Sequence, residues 1–429
     1  MRDPLILSSQ FRDVLDEIEH SDDSYFISGR AGTGKSTLLQ LFRRTSKKKT
    51  ITLAPTGVAA LHVRGQTIHS FFGFPPRLIN SEEIKKHKKP KWFKSIEAII
   101  IDEISMVRAD LLDNIDRSLR LNREDDRLFG GVQVIFFGDL FQLPPVVSSP
   151  FEQNYFQTTY SSPYFFSAHA FNNGFNLKHI KLTKVYRQEE TNFLSILESI
   201  RSYEVDDEVL EVLNSRFVDI PKQGSYITLT AINQSAKQIN ERKLTGLPGK
   251  TKQYSATIRG EFNPGMYPTD QVLNLKEGAQ VMFIRNDPLR KFVNGTIGYI
   301  KKLTDKQISV VIEGDSKEEE IEVDQFEWEI LKYRPGDGTR EIRSEVSGSF
   351  KQYPLKLAWA ITIHKSQGKT FDRVIIDLGR GAFEHGQTYV ALSRCRTLNG
   401  IILSRPVRYQ DILVDERIVD FYQFLGNHF

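Results

Sequence analysis

Cysteine is nearly absent: Cys395 is the only one in 429 residues, so neither an intrachain disulfide nor a paired-cysteine zinc site can be built, and a reducing compartment fits best. Long apolar runs are missing too. The strongest, AIIIDEI and VQVIFFGDL, are strand-length and break on acids, far short of the ~20 residues a membrane helix needs. The start, MRDPLILSSQFRDVLDEIEH, is interrupted by charges and has neither an apolar core nor a cleavage-like segment, which argues against a signal peptide. There is no internal repeat, no low-complexity tract and no strong charge imbalance. Fifty-eight Lys+Arg against 54 Asp+Glu leave +4, which suits a polyanionic partner without demanding one. What remains is average globular composition, 39% hydrophobic and 26% charged, in a chain long enough for about two to four domains. These features predict a soluble, folded protein.

From Tyr25 the chain reads YFISG, a glycine turn, then KSTLLQLFRR, which is a strand–loop–helix unit. Strand-like runs follow at 50–56 (TITLAPT), 98–105 (AIIIDEIS) and 132–139 (VQVIFFGD), spaced as in a parallel α/β sheet. Residues 1–180 are therefore expected to form one α/β domain. A second begins at 226–233 (YITLTAIN) and resumes at LKLAWAITIHKSQG, RVIIDLG and GIILS, giving a split domain of 181–244 and 351–429. The interruption, 245–350, carries short alternating strands punctuated by Asn294-Gly295, Asp305 and Gly314 and reads as a small inserted β-barrel. Two departures interrupt the first domain: GQTIHSFFGFPP at 65–76 and the basic KKHKKPKWFK at 85–94. The basic run is either a solvated face or a phosphate contact, with the solvated face favoured because charge runs usually are that.

Gly29-Arg-Ala-Gly-Thr-Gly34-Lys35-Ser36 satisfies GxxxxGK[ST] between a strand and a helix. A chance match is expected roughly 0.02 times in this length. In such a loop the backbone amides cradle phosphates, Lys35 reaches the β/γ-phosphates and the Ser36 hydroxyl takes Mg²⁺. The strand Ile-Ile-Ile ends on Asp102-Glu103, placing Asp102 as the Mg²⁺ partner and Glu103 as general base toward water, provided a strand end or turn swings it round. After the next strand, Gln142 in GDLFQLPP is placed to sense γ-phosphate or position water, and Arg187 in LTKVYRQ and Arg394 in YVALSRCR offer positive charge to it. Candidate contacts to single-stranded DNA are Pro55, Thr56 and Gly57 after the second strand. Thr67, His69, Ser70, Phe71 and Phe72 in the first departure and Thr362, His364 and Lys365 in the second domain join them. Each of these alone is weak, since a lone His or Phe is usually packing.

The ordered blocks LSSQ, GRAGTGKST, APTGVAA with GQTIHSFFG, IIDEISMV, FFGDLFQLPPV, LTKVYRQ, AITIHKSQGKTF and YVALSRCR resemble superfamily 1 helicases of the petite-integration-frequency (PIF) family over nearly the whole chain. The stretch from Asp110 to Gln133 looks like that family's signature segment and favours it over RecD-type translocases. The resemblance implies an α/β architecture of two RecA-like parallel-sheet domains that sandwich ATP, the second carrying a small SH3-like β-barrel and the first a wedge or pin at 65–76. It further implies 5′-to-3′ translocation on single-stranded DNA. Carried over by position, Gln10 would face adenine, and Gly32, Gly34, Lys35, Ser36 and Thr37 would hold phosphates. Gln367 and Gly368 would join the nucleotide side, with Thr362, His364 and Lys365 toward DNA. Expected cofactors are ATP and Mg²⁺. Expected partners are single-stranded DNA and its junctions with duplex, acted on by a monomer without membrane contact. No long extension flanks the core, so a minimal bacterial enzyme working in the cytoplasm on the nucleoid is expected. The rivals are a partner-dependent RecD-like subunit, an ATP-gated clamp without unwinding and, last, a metabolic P-loop kinase.

Overall fold

The computed structural model describes residues 8–87, 90–147, 149–188, 190–220, 225–287, 289, 291–305, 307–313, 318–335 and 342–427. Six strands, β1 (Ser24–Gly29), β2 (Thr50–Ala54), β3 (Gln66–Thr67), β4 (Ala98–Ile101), β5 (Gln133–Gly138) and β6 (Leu177–Leu182), form one parallel sheet in the order β3-β2-β4-β5-β1-β6. Their unbroken apolar runs follow from burial on both faces. Tyr25, Ile27, Ile100, Ile135 and Phe137 pack on one side, while Phe26, Ile99, Ile101, Val134 and Phe136 pack on the other. Because all six strands run the same way, their carboxyl ends share one edge, where ligands bind in open α/β sheets.

A second parallel sheet joins β7 (Ile227–Thr230), β18 (Ala360–Thr362), β19 (Val374–Asp377) and β20 (Ile401–Leu403) in the order β18-β7-β19-β20. Its core is continuous with that of the first sheet. Between β7 and β18 lie ten antiparallel strands with their own core around Val281, Phe283, Val310 and Leu355. A five-stranded sheet holds β11 (Gln280–Phe283), β12 (Ile297–Leu303), β13 (Ile308–Glu313), β14 (Glu318–Val323) and β17 (Leu355–Leu357). A two-stranded sheet holds β8 (Lys252–Ser255) and β10 (Val272–Leu275), and a three-stranded one holds β9 (Thr257–Gly260), β15 (Phe326–Pro335) and β16 (Ile342–Gln352). The run LKLAWAIT, which reads as one resumption of the second domain, is divided: Leu355–Leu357 pairs with β11 of the insert, and only Ala360–Thr362 pairs with β7. The Asn294-Gly295 turn stands between β11 and β12 as expected, whereas Gly314 lies outside the described residues.

The long β15–β16 hairpin reaches back to the first sheet. Tyr333 donates its backbone N–H to Gln66 Oε1 (3.1 Å) and its hydroxyl accepts from the Thr52 N–H (3.3 Å). Segment 65–76 is correspondingly an edge strand followed by the short helix Ile68–Phe72, whose N-terminus Thr67 caps. Of the basic run, Lys86 and Lys94 pair with Glu124 and so are held on the protein surface, while Lys88 and Lys89 lie outside the described residues. Among the described residues no helix is long and apolar enough to cross a membrane.

Candidate nucleotide and nucleic-acid site

The phosphate loop leaves the carboxyl end of β1 and turns into the helix Lys35–Thr45 through two left-handed glycines, Gly32 (φ 86°) and Gly34 (φ 82°). Left-handed backbone at these positions requires glycine. Lys35 donates to the carbonyls of Gly29 (2.6 Å) and Arg30 (3.0 Å), and burial lowers its ammonium pKa despite the nearby acids Asp139 and Glu103. Ser36 and Thr37 are exposed on the first helical turn, where helix N–H groups and the helix dipole favour anions.

Strand β5 lies between β1 and β4, so the carboxylates that follow β4 and β5 flank the loop. The turn anticipated for Glu103 is present as a left-handed residue (φ 51°, ψ 47°) directly after Asp102, a strained conformation of the kind that collects at functional sites. Burial, then repulsion from Glu103, raises the Asp102 carboxyl to about 7, and burial likewise raises Glu103. Two crowded, desolvated carboxyls near Lys35, with the exposed Ser36 hydroxyl next to that lysine in sequence, are hard oxygen donors of the kind suited to Mg²⁺. Among the described residues no group of three or more His, Cys, Asp or Glu could hold a metal ion.

Asp139, beyond β5, is fully buried. Burial works to raise its carboxyl, but Arg201 and then Lys35 outweigh it and hold the group below its ordinary value. Asp139 Oδ2 accepts from Gln142 Nε2 (3.3 Å), so the amide expected to sense γ-phosphate is oriented by a carboxylate. Arg187 and Arg394 converge on Ser393: Arg187 Nη1 donates to the Ser393 carbonyl (3.2 Å), and Arg394 Nη2 donates to Ser393 Oγ (2.7 Å). Burial and the neighbouring Arg394 push Arg187 down to about 9, as expected for two cations held together without an anion between them. Arg187 also touches the phosphate loop, since a Cβ on Gly32 would lie 2.6 Å from the Arg187 Cβ.

Four residues that the sequence reading passed over belong to this site: Asp139, Arg201, Tyr389 and Tyr186. Tyr186 is 50% exposed, its ring sits beside Gly34 and packs edge-on against Phe11 at 6.3 Å. Only Asp139 carried a signal, an acid at a strand end like Asp102. Gln10 spends both amide atoms on the carboxyl end of β6 and the residue after it, donating to the Lys181 carbonyl (2.9 Å) and accepting from the Thr183 N–H (3.5 Å). Gly368 (φ 73°) faces His62 rather than the phosphate loop, and the neighbouring Gln367 Nε2 is buried without a partner.

The expected DNA contacts divide by exposure. Pro55, Thr56 and His69 are half-buried at the carboxyl edge, and Ser70 and Lys365 are exposed. Thr56, Thr67 and Thr362 use their hydroxyls as helix caps, accepting from Ala59, Ser70 and Lys365 N–H, which leaves neighbouring backbone groups to face a ligand. His364 pairs with Glu384 at 3.0 Å. Phe71 corrects the sequence reading: it is 7% exposed and its ring is enclosed by Phe72, Trp92, Phe93 and Tyr333, so it packs the core and offers no face to a base.

A family profile described as PIF1-like helicase matches residues 6–211. The chain is 33% identical to the ATP-dependent DNA helicase Pif1 of Bdellovibrio bacteriovorus over 98% of its own length and 92% of that protein. It spans 58–63% of the length of the animal and fungal PIF1 helicases it matches. Among solved structures, Bacteroides Pif1 in complex with ADP-AlF4 superposes with a TM-score of 0.90 at 36% identity, covering 99% of this chain and 98% of that one. Bacteroides Pif1 bound to single-stranded DNA superposes with a TM-score of 0.70 at 37% identity, over the same shares.

Proposed function

The chain belongs to the PIF1-like helicase family, and on that premise we propose that it is an ATP-dependent DNA helicase that translocates 5′ to 3′ on single-stranded DNA and unwinds duplex ahead of it. The observation that carries this reading is the convergence of Arg187 and Arg394 on Ser393, with Arg187 packed against Gly32 of the phosphate loop near Asp102, Glu103 and Gln142. That is the donor geometry phosphoryl transfer requires, and it needs both parallel sheets to complete it. The relatives' names and the ADP-AlF4 complex of the Bacteroides protein support it.

In this mechanism the loop amides and Lys35 bind the phosphate chain, and Ser36 and Asp102 would hold Mg²⁺, which supplies positive charge to the phosphates. Glu103, turned by its left-handed backbone and kept basic by a raised pKa, takes a proton from the attacking water. Gln142 positions that water, and Arg187 and Arg394 neutralise charge on the transferred group. Since Arg394 comes from the second sheet and the phosphate loop from the first, nucleotide binding draws the sheets together and hydrolysis releases them. Pro55, Thr56, His69, Thr362, His364 and Lys365, at strand ends and the short helices that follow, grip the strand, each closure shifting the grip. The working divisions are residues 1–180, a second domain in two pieces, the later one resuming at β18, and an SH3-like insert between them that extends through Leu357. Gln10 on the adenine and Gln367 on the nucleotide side complete the site. The protein acts as a monomer at single-strand/duplex junctions on the bacterial nucleoid.

The test is ATP-dependent unwinding of forked duplexes bearing only a 5′ or only a 3′ single-stranded tail, with Lys35→Ala as control. Unwinding from the 5′ tail alone, lost in the variant, is expected. DNA-stimulated hydrolysis without strand separation would replace this reading with a clamp or a partner-dependent subunit.

A further inference from the structure

A closed circuit of polar contacts, buried except at the Arg30–Glu198 pair, runs around the nucleotide site, apart from the groups assigned above to chemistry. It starts at the phosphate loop, where Arg30 Nε stands 2.7 Å from Glu198 Oε2. Glu198 Oε1 is 3.5 Å from Arg201 Nη1, and Arg201 Nη2 donates to Asp139 Oδ1 at 3.2 Å. From Asp139 Oδ2 the path crosses to the hydroxyl of Tyr389, which donates to it at 3.3 Å and accepts from the backbone N–H of Ala31 at 3.2 Å. The circuit thus returns to the phosphate loop one residue from its start. Glu198 and Arg201 sit on the helix Thr191–Ser202, and Tyr389 sits on the helix Gln387–Leu392, which connects β19 to β20 in the second sheet.

Chemistry argues that this hydroxyl is there for more than packing. Tyr389 is 3% exposed, and a phenylalanine would fill the same volume without bringing a polar group that must be satisfied. Its two partners belong to functionally different pieces of the first sheet: an amide of the phosphate loop, and the carboxylate that also orients Gln142. Five residues on from Tyr389 in the same segment is Arg394, whose Nε donates to the Val390 carbonyl at 2.9 Å, so moving the helix moves that arginine. A single hydroxyl therefore fixes the register of three groups that must act on one phosphate.

We propose that Tyr389 is a positioning residue for phosphoryl transfer: its hydroxyl locks the helix Gln387–Leu392 to the phosphate loop and to Asp139, so that Arg394 and Gln142 meet the γ-phosphate together. Arg201 and Glu198 complete the brace from the other side. The inference rests on the ATPase reading above and extends it to residues that touch neither nucleotide nor DNA.

The experiment is steady-state ATP hydrolysis by the full chain with and without oligothymidine, comparing wild type with Tyr389→Phe, alongside binding of a fluorescent ATP analogue and thermal melting. Wild-type hydrolysis stimulated by DNA establishes the ATPase reading first, and its absence would sink that reading whatever the variant does. Given that activity, Tyr389→Phe should lower DNA-stimulated kcat at least tenfold while KM for ATP and the analogue's Kd stay within twofold. A purely structural hydroxyl would instead lower the melting temperature with kcat within twofold, or move KM and kcat together; either result overturns the proposal. Should Tyr389→Phe fail to fold, Glu198→Gln at the solvent-facing end of the brace decides. A threefold or greater fall in kcat at constant KM supports the circuit, and an unchanged kcat refutes it.

Discussion

Replacing Gly32 with alanine tests whether the phosphate loop and Arg187 work as one assembled unit. Two penalties can be read from the geometry. The backbone there is left-handed (φ 86°), which costs an L-residue about 1–2 kcal/mol. The new methyl would also stand 2.6 Å from the Arg187 Cβ and 3.5 Å from Gln188 Oε1. The first neighbour is the root of a side chain, not a flexible tip. Regaining ordinary contact at about 3.4 Å therefore moves the arginine-bearing segment by about 0.8 Å, and displacements near 1 Å at a reacting centre cost up to about 10²-fold in rate. The expected outcome is a fall of about 10- to 100-fold in DNA-stimulated kcat. A drop in melting temperature of about 2–8 °C should accompany it, at about 2–4 °C per kcal/mol for a domain of this size. Coupled-enzyme ATPase assays and differential scanning fluorimetry measure the two. If the melting temperature falls as stated while kcat stays within twofold, the Arg187 contact is a packing seam and its assigned role in hydrolysis is wrong.

Three further outcomes are expected. Glu103→Gln should reduce ATP turnover by about 10²–10⁴-fold, the usual worth of a positioned general base, while raising the melting temperature by relieving the crowded pair with Asp102; turnover within threefold of wild type, read in the same ATPase assay, would remove Glu103 from the chemistry. Phe71→Ala should cost about 3–5 kcal/mol of stability, as for a buried phenylalanine. It should leave the DNA affinity of the protein that remains folded unchanged in fluorescence anisotropy, whereas a selective loss of affinity would restore the base-stacking role the structure denies it. His179, packed against Phe26 and Tyr422, has its imidazole pushed down to about 4 by burial and then by Lys181. An unfolded histidine protonates near pH 6.5, so between those values the unfolded chain binds more protons. The stability contributed is full above about pH 6.5 and is lost as the pH falls toward 4. Thermal melts from pH 7 to 4.5 should fall less steeply for His179→Gln than for wild type, and parallel slopes would assign the effect to other groups.

The parts of the site legible in the sequence are those that local chemistry dictates. A phosphate loop needs glycines where the backbone is left-handed and a lysine at its helix start, so Gly32, Gly34 and Lys35 announce themselves. The acids Asp102 and Glu103 stand out because they end a run of apolar residues buried on both faces of β4. Phe71 misled because an aromatic in a segment punctuated by turn residues looks the same whether it faces solvent or closes a core, and its partners Trp92, Phe93 and Tyr333 are distant in sequence. The boundary of the insert was blurred for a related reason: Leu355–Leu357 and Ala360–Thr362 are equally apolar, and only their pairing partners distinguish them. Arg201 and Tyr389 were invisible because their function lies in contacts 62 and 250 residues away.

The seam between the two sheets has a logic that connects these observations. Phosphoryl transfer needs cations from the second sheet within reach of a loop on the first, and two bulky backbones can approach that closely only where one of them lacks a side chain. Gly386 (φ 71°) meets this need on the far side of the cleft: a Cβ there would lie 2.4 Å from the Phe141 carbonyl oxygen and 2.7 Å from that of Gln142. It also begins the helix that carries Tyr389. Gly32 against Arg187 and Gly386 against the Gln142 backbone are therefore paired close approaches, each glycine admitting a segment that carries a residue proposed to meet phosphate. With interiors packed too tightly to deform smoothly, such paired contacts engage together or not at all. That is the physical requirement for hydrolysis at the cleft to be felt as movement of one sheet against the other.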